Sequence, residues 1–362
     1  MLTAPFPWFG GKSRVAPLVW ERLGEVNNYV EPFAGSLAVL LGRPHPANNE
    51  TVNDIDAYLC NFWRAVQADP DAVAYWADYP VIEVDLHSRH TWLIQDGKVL
   101  VDRLLEDPNF YDARVAGWWV WGICQWIGSG WCAERSTVVR KRPHLANEGI
   151  GVHAKRAASY GQPPALSGPG RGIHQASIHQ LPYLSEGGRG IHRKKPYLDK
   201  GGRGIHKSEH RDGIYAMMAA LCQRLRRVRV CCGDWRRVLT PAVTTQLGVT
   251  GVLLDPPYGG AAGRCKDLYR VDDLTVAEAV REWAIAHGDD PMLRIALCGY
   301  EGEHDDLEAR GWEVMAWKTK GGYANANTQG NANAARERIW FSPHCLKPQV
   351  GMGPLFEGMA SC

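Results

Sequence analysis

The 362-residue chain contains no Cys-x-x-Cys pair, although it has ten cysteines. The common zinc and dithiol redox motifs are therefore missing, and thiols this scattered read as reduced and intracellular rather than as a disulfide framework. Long apolar runs are missing too. The nearest, residues 115–128, is broken by Gly117, Gly122 and Gln125, whereas a membrane span needs about 18 uninterrupted apolar residues. Residues 1–7 carry neither a basic nor an apolar leader segment, so a cytoplasmic protein without a membrane partner is expected. Two nucleotide signatures also fail. Gly10-Gly11-Lys12-Ser13 resembles the end of a phosphate-binding loop, but Phe6 stands where its first glycine belongs and no strand precedes it. No GxGxxG follows the first expected strand, so nucleotide hydrolysis and hydride transfer lack their defining parts.

What is present is an ordinary globular composition, 45% apolar and 22% charged, at a length that suggests two domains. The net charge of +2 conceals an asymmetry. Residues 135–211 hold 15 Lys and Arg against 4 Asp and Glu, a net of +11, leaving −9 for the rest. One segment is thus suited to a polyanion, the bland alternative being a solvated basic loop. Within it, 12 of residues 147–204 are glycine, and Gly-Arg-Gly-Ile-His occurs at 170–174, 188–192 and 202–206. The irregular spacing argues against a solenoid. Glycines flanking an arginine let backbone and guanidinium approach a phosphate together, so Arg171, Arg189 and Arg203 are expected on nucleic acid, with Arg140, Lys141, Arg142, Arg193, Lys194 and Lys195. The repeat histidines lack even spacing and companion ligands, so no metal is expected.

The patterning around this segment is α/β. Short strands are expected at 28–30, 51–52, 228–232, 251–254 and 293–297, with a terminal hairpin from 312–318 and 338–341. Helices are expected at 37–41, through Leu59, Phe62, Trp63 and Val66, from Asp69-Pro70 to 78, and at 83–92, 98–105, 109–126 and 212–226. Five tryptophans between 118 and 131 admit two readings, stacking platforms for bases or a buried helix seam, and helical spacing favours the seam. The expected architecture is a doubly wound, Rossmann-like α/β sheet split in sequence. Residues 1–65 and 212–345 would form the core, 66–211 an inserted, helical and loop-rich target-recognition region, and 346–362 a mobile tail.

Open α/β sheets bind ligands beyond the carboxyl ends of their strands. Glu31, Asp54 and Asp234 all fall there, together with the Pro32-Phe33-Ala34-Gly35 turn. A carboxylate about twenty residues after the first turn suits ribose hydroxyls, so the group describes a pocket for an adenosine-bearing ligand. The sharpest signal is Asp255-Pro256-Pro257-Tyr258 directly after an apolar strand. Two prolines stop the strand and leave a carboxylate, the Pro256 carbonyl and an aromatic ring. Two acceptors and a π face suit a flat heterocycle bearing an exocyclic amino group.

These residues carry a family resemblance. Trp8-Phe-Gly-Gly11-Lys12 resembles the N-terminal WxGGK motif, and Tyr29-Val-Glu-Pro-Phe-Ala-Gly35 the (F/Y)VEPFxG cofactor turn, of the Dam-like N6-adenine DNA methyltransferases. Their catalytic signature is similar to 255–258, and the motif order is that of the alpha group. The resemblance covers about 5–65 and 212–341, and it implies S-adenosylmethionine (AdoMet) as cofactor and double-stranded DNA as partner. By resemblance Trp8, Gly11, Lys12, Glu31, Pro32, Phe33, Gly35, Asp54, Asp234 and Asp255 would form the cofactor site. Asp54 would hold the ribose and Asp234 the adenine, while Asp255, Pro256, Pro257 and Tyr258 would act on a flipped adenine. Leu37 departs from the motif, which often has a second glycine there. Cytosine N4, adenine in RNA, or DNA binding on an inactive core are the alternatives. Monomer or homodimer, and orphan or restriction-paired enzyme, stay open.

Overall fold

A computed structural model describes residues 2–347 except 9, 47, 108, 127–130, 133–210, 259–274 and 318–335. The nine DNA-contact residues expected from sequence, Arg140, Lys141, Arg142, Arg171, Arg189, Arg193, Lys194, Lys195 and Arg203, lie outside the described residues, as do the three repeats and 348–362 of the tail.

Seven strands form one sheet: β1 (Asn28–Glu31), β2 (Asn49–Asp54), β3 (Val228–Cys232), β4 (Thr250–Leu254), β5 (Leu293–Tyr300), β6 (Glu313–Ala316) and β7 (Glu337–Phe341). Their order is β3-β2-β1-β4-β5-β7-β6, with β1 to β5 parallel and β7 antiparallel to both its neighbours. The arrangement is mixed α/β and mostly parallel, consistent with a Rossmann-like methyltransferase fold. Strand order reverses between β1 and β4, the place where such sheets leave a crevice. β2 is longer than the two residues expected from sequence because the β3 ladder reaches Asp54, opposite Cys232.

Period-2 alternation separates two cores. Tyr29, Leu253, Ala296 and Cys298 face one apolar cluster, while Val30, Val252, Leu254, Ile295 and Leu297 face the other. Over the first face lie α1 (Ala16–Leu23), α2 (Ala38–Leu41), α3 (Ala57–Ala68), α4 (Pro70–Ala77), α7 (Ala113–Gln125) and α8 (Arg211–Leu225). Beside α7 lie α5 (Glu83–Gln95) and α6 (Lys98–Glu106), and α9 (Val276–His287) covers the second face. Much of the region assigned from sequence to an insert, α4 to α7, therefore packs into the same cluster as the sheet.

Caps set the helix starts. Asp56 accepts from Tyr58 N at 2.9 Å, and Asp69, ahead of Pro70, accepts from Ala72 N at 3.1 Å. Asp112 accepts from Val115 N at 2.9 Å, so α7 begins at 113 rather than at 109 as patterning alone suggests. Of the five tryptophans, Trp119, Trp121 and Trp131 are buried, and Trp131 Nε1 donates to the Trp119 carbonyl at 3.1 Å. The seam reading holds for these three. Arg224 of α8 is tied to β2 by donating to Glu50 at 2.6 and 2.8 Å, while Arg43 donates to the same carboxylate at 3.1 Å.

Candidate active site

Three carboxylates stand at the carboxyl ends of adjacent strands: Asp54 on β2, Glu31 on β1 and Asp255 just past β4. They line a single cleft of about 210 Å³, open at its mouth, across the β1–β4 switch. All ten residues assigned by resemblance to the cofactor site line it, namely Trp8, Gly11, Lys12, Glu31, Pro32, Phe33, Gly35, Asp54, Asp234 and Asp255, and so does Pro257. Sequence separations of more than two hundred residues are closed by the β1–β4 pairing. Patterning did not single out Ile55, Trp235, Thr275 or Val276, which complete the wall; Thr275 and Val276 open α9, a helix absent from the sequence reading.

The glycine turn after β1 is shaped by a close approach. Gly35 has φ +46°, and a Cβ there would lie 2.5 Å from Trp8 Nε1. The WxGGK segment and the EPFAG turn thus fit together only with glycine at 35. Leu37, where the motif often has glycine, is fully buried and adopts φ +55° at the start of α2. Such a conformation costs an L-residue roughly 1–2 kcal/mol. Burial of the leucine side chain offsets that with roughly 1.5–3 kcal/mol, which accounts for an apolar residue at a position suited to glycine.

At one end of the cleft Asp54 meets backbone N–H groups. Asp54 accepts from Gly35 N at 3.1 Å through Oδ2 and from Asp56 N at 2.9 Å through Oδ1. Burial raises its pKa to about 6, although those two bonds pull the other way. Glu31 is 3% exposed, and its Oε2 is buried with no hydrogen-bond partner. Burial, reinforced by Asp255 and Glu50, pushes its carboxyl well above the usual range. Asp234 is half exposed; it caps the turn of Trp235–Val238 through Arg236 N at 2.8 Å and pairs with the Arg236 guanidinium at 3.2 Å.

At the other end the acids meet a cation. Lys12 Nζ lies 2.9 Å from Asp255 Oδ1, and it donates to the Gly10 carbonyl at 2.8 Å and to the Tyr258 hydroxyl at 3.1 Å. An ammonium has three donors, and each has an acceptor. Burial opposes the charge on Lys12, but Asp255, with Glu337 behind it, raises its pKa well above the ordinary lysine range. Tyr258 in turn donates to Glu337 Oε2 at 2.7 Å, and its ring meets Tyr300 edge-on at 4.6 Å. Pro256 and Tyr258 are buried beneath the cleft rather than lining it, so the sequence-expected aromatic face at Tyr258 is 7% exposed. Glu337, Cys298 and Tyr300 carry no motif and lie just outside the strands expected at 293–297 and 338–341, which the structure extends to 300 and back to 337.

An acid-lined crevice at the switch point of a mostly parallel sheet is where such folds bind ligands. Residues 8–93 match the family model described as D12 class N6 adenine-specific DNA methyltransferase. The matched segment includes WxGGK, EPFAG and Asp54, while Asp234 and 255–258 lie beyond it. No curated protein matches the chain. Among the described residues no cluster of three or more His, Cys, Asp or Glu could hold a metal, and no helix is long and apolar enough to cross a membrane.

Proposed function

We propose that the chain is a Dam-like, alpha-group enzyme that transfers the methyl group of AdoMet to N6 of a flipped-out adenine in duplex DNA. The observation that carries this reading is the convergence of the whole WxGGK, EPFAG and Asp54 set on one cleft with Asp255 at its far end. The residues suit the cofactor chemically. Glu31 Oε2 is a buried acceptor lacking a donor, which an ammonium would supply. Asp54 retains acceptor capacity for ribose hydroxyls beyond its two backbone bonds. Phe33, Ile55 and Val276 offer apolar surface to a purine. AdoMet supplies an electrophilic sulfonium methyl.

The protein's part is positioning. An adenine amino group inside a duplex is not open to in-line attack, so the base leaves the stack. Asp255 and the Pro256 carbonyl accept hydrogen bonds from N6 and draw its lone pair out of conjugation, while Tyr258, beneath the cleft, accepts from Lys12 and holds it against Asp255. Alignment and fixed dipoles then provide the acceleration, with no covalent intermediate. The basic residues from Arg140 to Arg203 neutralise phosphates and hold the duplex. On this reading residues 66–211 form the target-recognition region.

The test is methyl transfer from labelled AdoMet to duplex DNA, with the product base identified. N6-methyladenine is expected. Label on cytosine N4, label only on RNA, or AdoMet binding without transfer would replace the reading by one of its alternatives. Asp255→Ala should lower transfer by about 10³-fold or more while duplex binding stays nearly constant. Replacing Arg171, Arg189 and Arg203 together by Ala should weaken DNA binding and lower the slope of log affinity against log salt by about 3. An unchanged slope would remove the repeats from the DNA interface.

A further inference from the structure

The buried end of the cleft contains more charge than a fold needs. Lys12, Asp255 and Glu337 are joined through Tyr258 in one chain: Asp255 Oδ1 to Lys12 Nζ at 2.9 Å, Lys12 to the Tyr258 hydroxyl at 3.1 Å, and that hydroxyl to Glu337 Oε2 at 2.7 Å. Lys12, Tyr258 and Glu337 are 4%, 7% and 5% exposed. Packed apolar side chains usually stabilise such a volume as well as or better than a buried ion cluster. A charged chain that ends on the acid at the cleft floor is instead a common mark of a functional site.

Resting on the methyl-transfer reading above, we infer that Glu337 on β7 is a positioning residue for the reaction. It acts through the hydroxyl of Tyr258 and the ammonium of Lys12 to hold Asp255 and the Tyr258 ring in place. A phenol rotates freely about its C–O bond. Donation to Glu337 fixes the hydroxyl so that its lone pair faces Lys12. Lys12, with Gly10 as third acceptor, is then held in one position and fixes the rotation of the Asp255 carboxylate. The same hydroxyl pins the Tyr258 ring beneath the cleft, while Tyr300 closes its edge and the Trp317 ring lies 5.4 Å from Lys12 Nζ. Glu337 touches neither end of the reaction in this scheme. Its effect belongs on the rate of transfer rather than on cofactor affinity.

Glu337→Gln, Tyr258→Phe and the double variant, each in the full chain, test the brace. Single-turnover methyl transfer should fall about 10-fold in Glu337→Gln and about 30-fold in Tyr258→Phe, with the AdoMet Kd within about threefold of wild type. The double variant should be no slower than Tyr258→Phe, since both act through one hydroxyl. Effects that multiply, or a change carried wholly by the Kd, would overturn the inference. A second measurement does not need turnover: acylation of Lys12 by acetic anhydride, followed by mass spectrometry. Lys12 should be protected in wild type and acylated at least about fivefold faster in both single variants. Unchanged acylation overturns the brace even if melting temperatures fall. Were wild type to transfer no methyl to DNA, the functional reading would fail, and acylation would still decide the brace.

Discussion

The two ends of the cleft treat their carboxylates in opposite ways. At the Asp54–Glu31 end neither acid forms an ion pair among the described residues: Asp54 rests on two backbone N–H groups and Glu31 Oε2 has no partner. At the Asp255 end a buried ammonium is saturated by three acceptors. A pocket that must bind and release a soluble ligand keeps unspent acceptors, because the ligand brings the donors. A group that must hold one orientation during a reaction is fixed beforehand by the protein. On the proposed reading, binding falls to one end and chemistry to the other.

The largest effect should come from removing the cation that defines the second end. Lys12→Met leaves the partly buried Asp255 and the buried Glu337 without their shared counter-charge, a change that costs up to about 3–5 kcal/mol where a pair is fully buried. Thermal unfolding should show it, and transfer should fall with it. A variant as stable as wild type would mean that the ammonium does not balance the two acids. Next comes the seam between the ends. Gly35→Ala puts a Cβ against the Trp8 indole at a left-handed backbone position, so the turn and the WxGGK segment must part. AdoMet affinity, measured by calorimetry, should drop about 10- to 100-fold, equivalent to about 1.4–2.8 kcal/mol. An unchanged affinity would show that the two segments do not need their present fit.

Much of this site was legible as residue identity, and little of it as geometry. Strand ends could be read because apolar runs stop at Glu31, Asp54 and Asp255, and Asp69-Pro70 announced a helix start that the structure shows. The pairing of those ends was not legible, since a parallel register between residues 28 and 250 leaves no local trace. Helix α9 went unread because its apolar positions are interleaved with Glu278, Arg281 and Glu282 in a weak stripe. Glu337 sits in an ordinary-looking strand, and only the fold brings it to Tyr258. Leu37 shows the converse. A departure from the motif's glycine turned out to keep the glycine's backbone conformation, with burial of the side chain as compensation.

The smallest expected effect addresses the first end and depends on pH. Asp54 has its pKa raised to about 6, so in the free protein the proton is retained over part of the range in which an ordinary aspartate has lost it. For stability the sign follows directly: the folded state favours protonated Asp54, a contribution present at low pH and lost as pH rises through about 6. For binding the sign reverses. Ribose hydroxyls donate best to the ionised carboxylate, so AdoMet binding releases the proton and affinity should weaken as pH falls through about 6. Asp54→Asn should lose about fivefold in affinity at neutral pH and flatten the dependence around that value. Glu31 also has a raised pKa, and a pH dependence that survives in Asp54→Asn would transfer the role to Glu31.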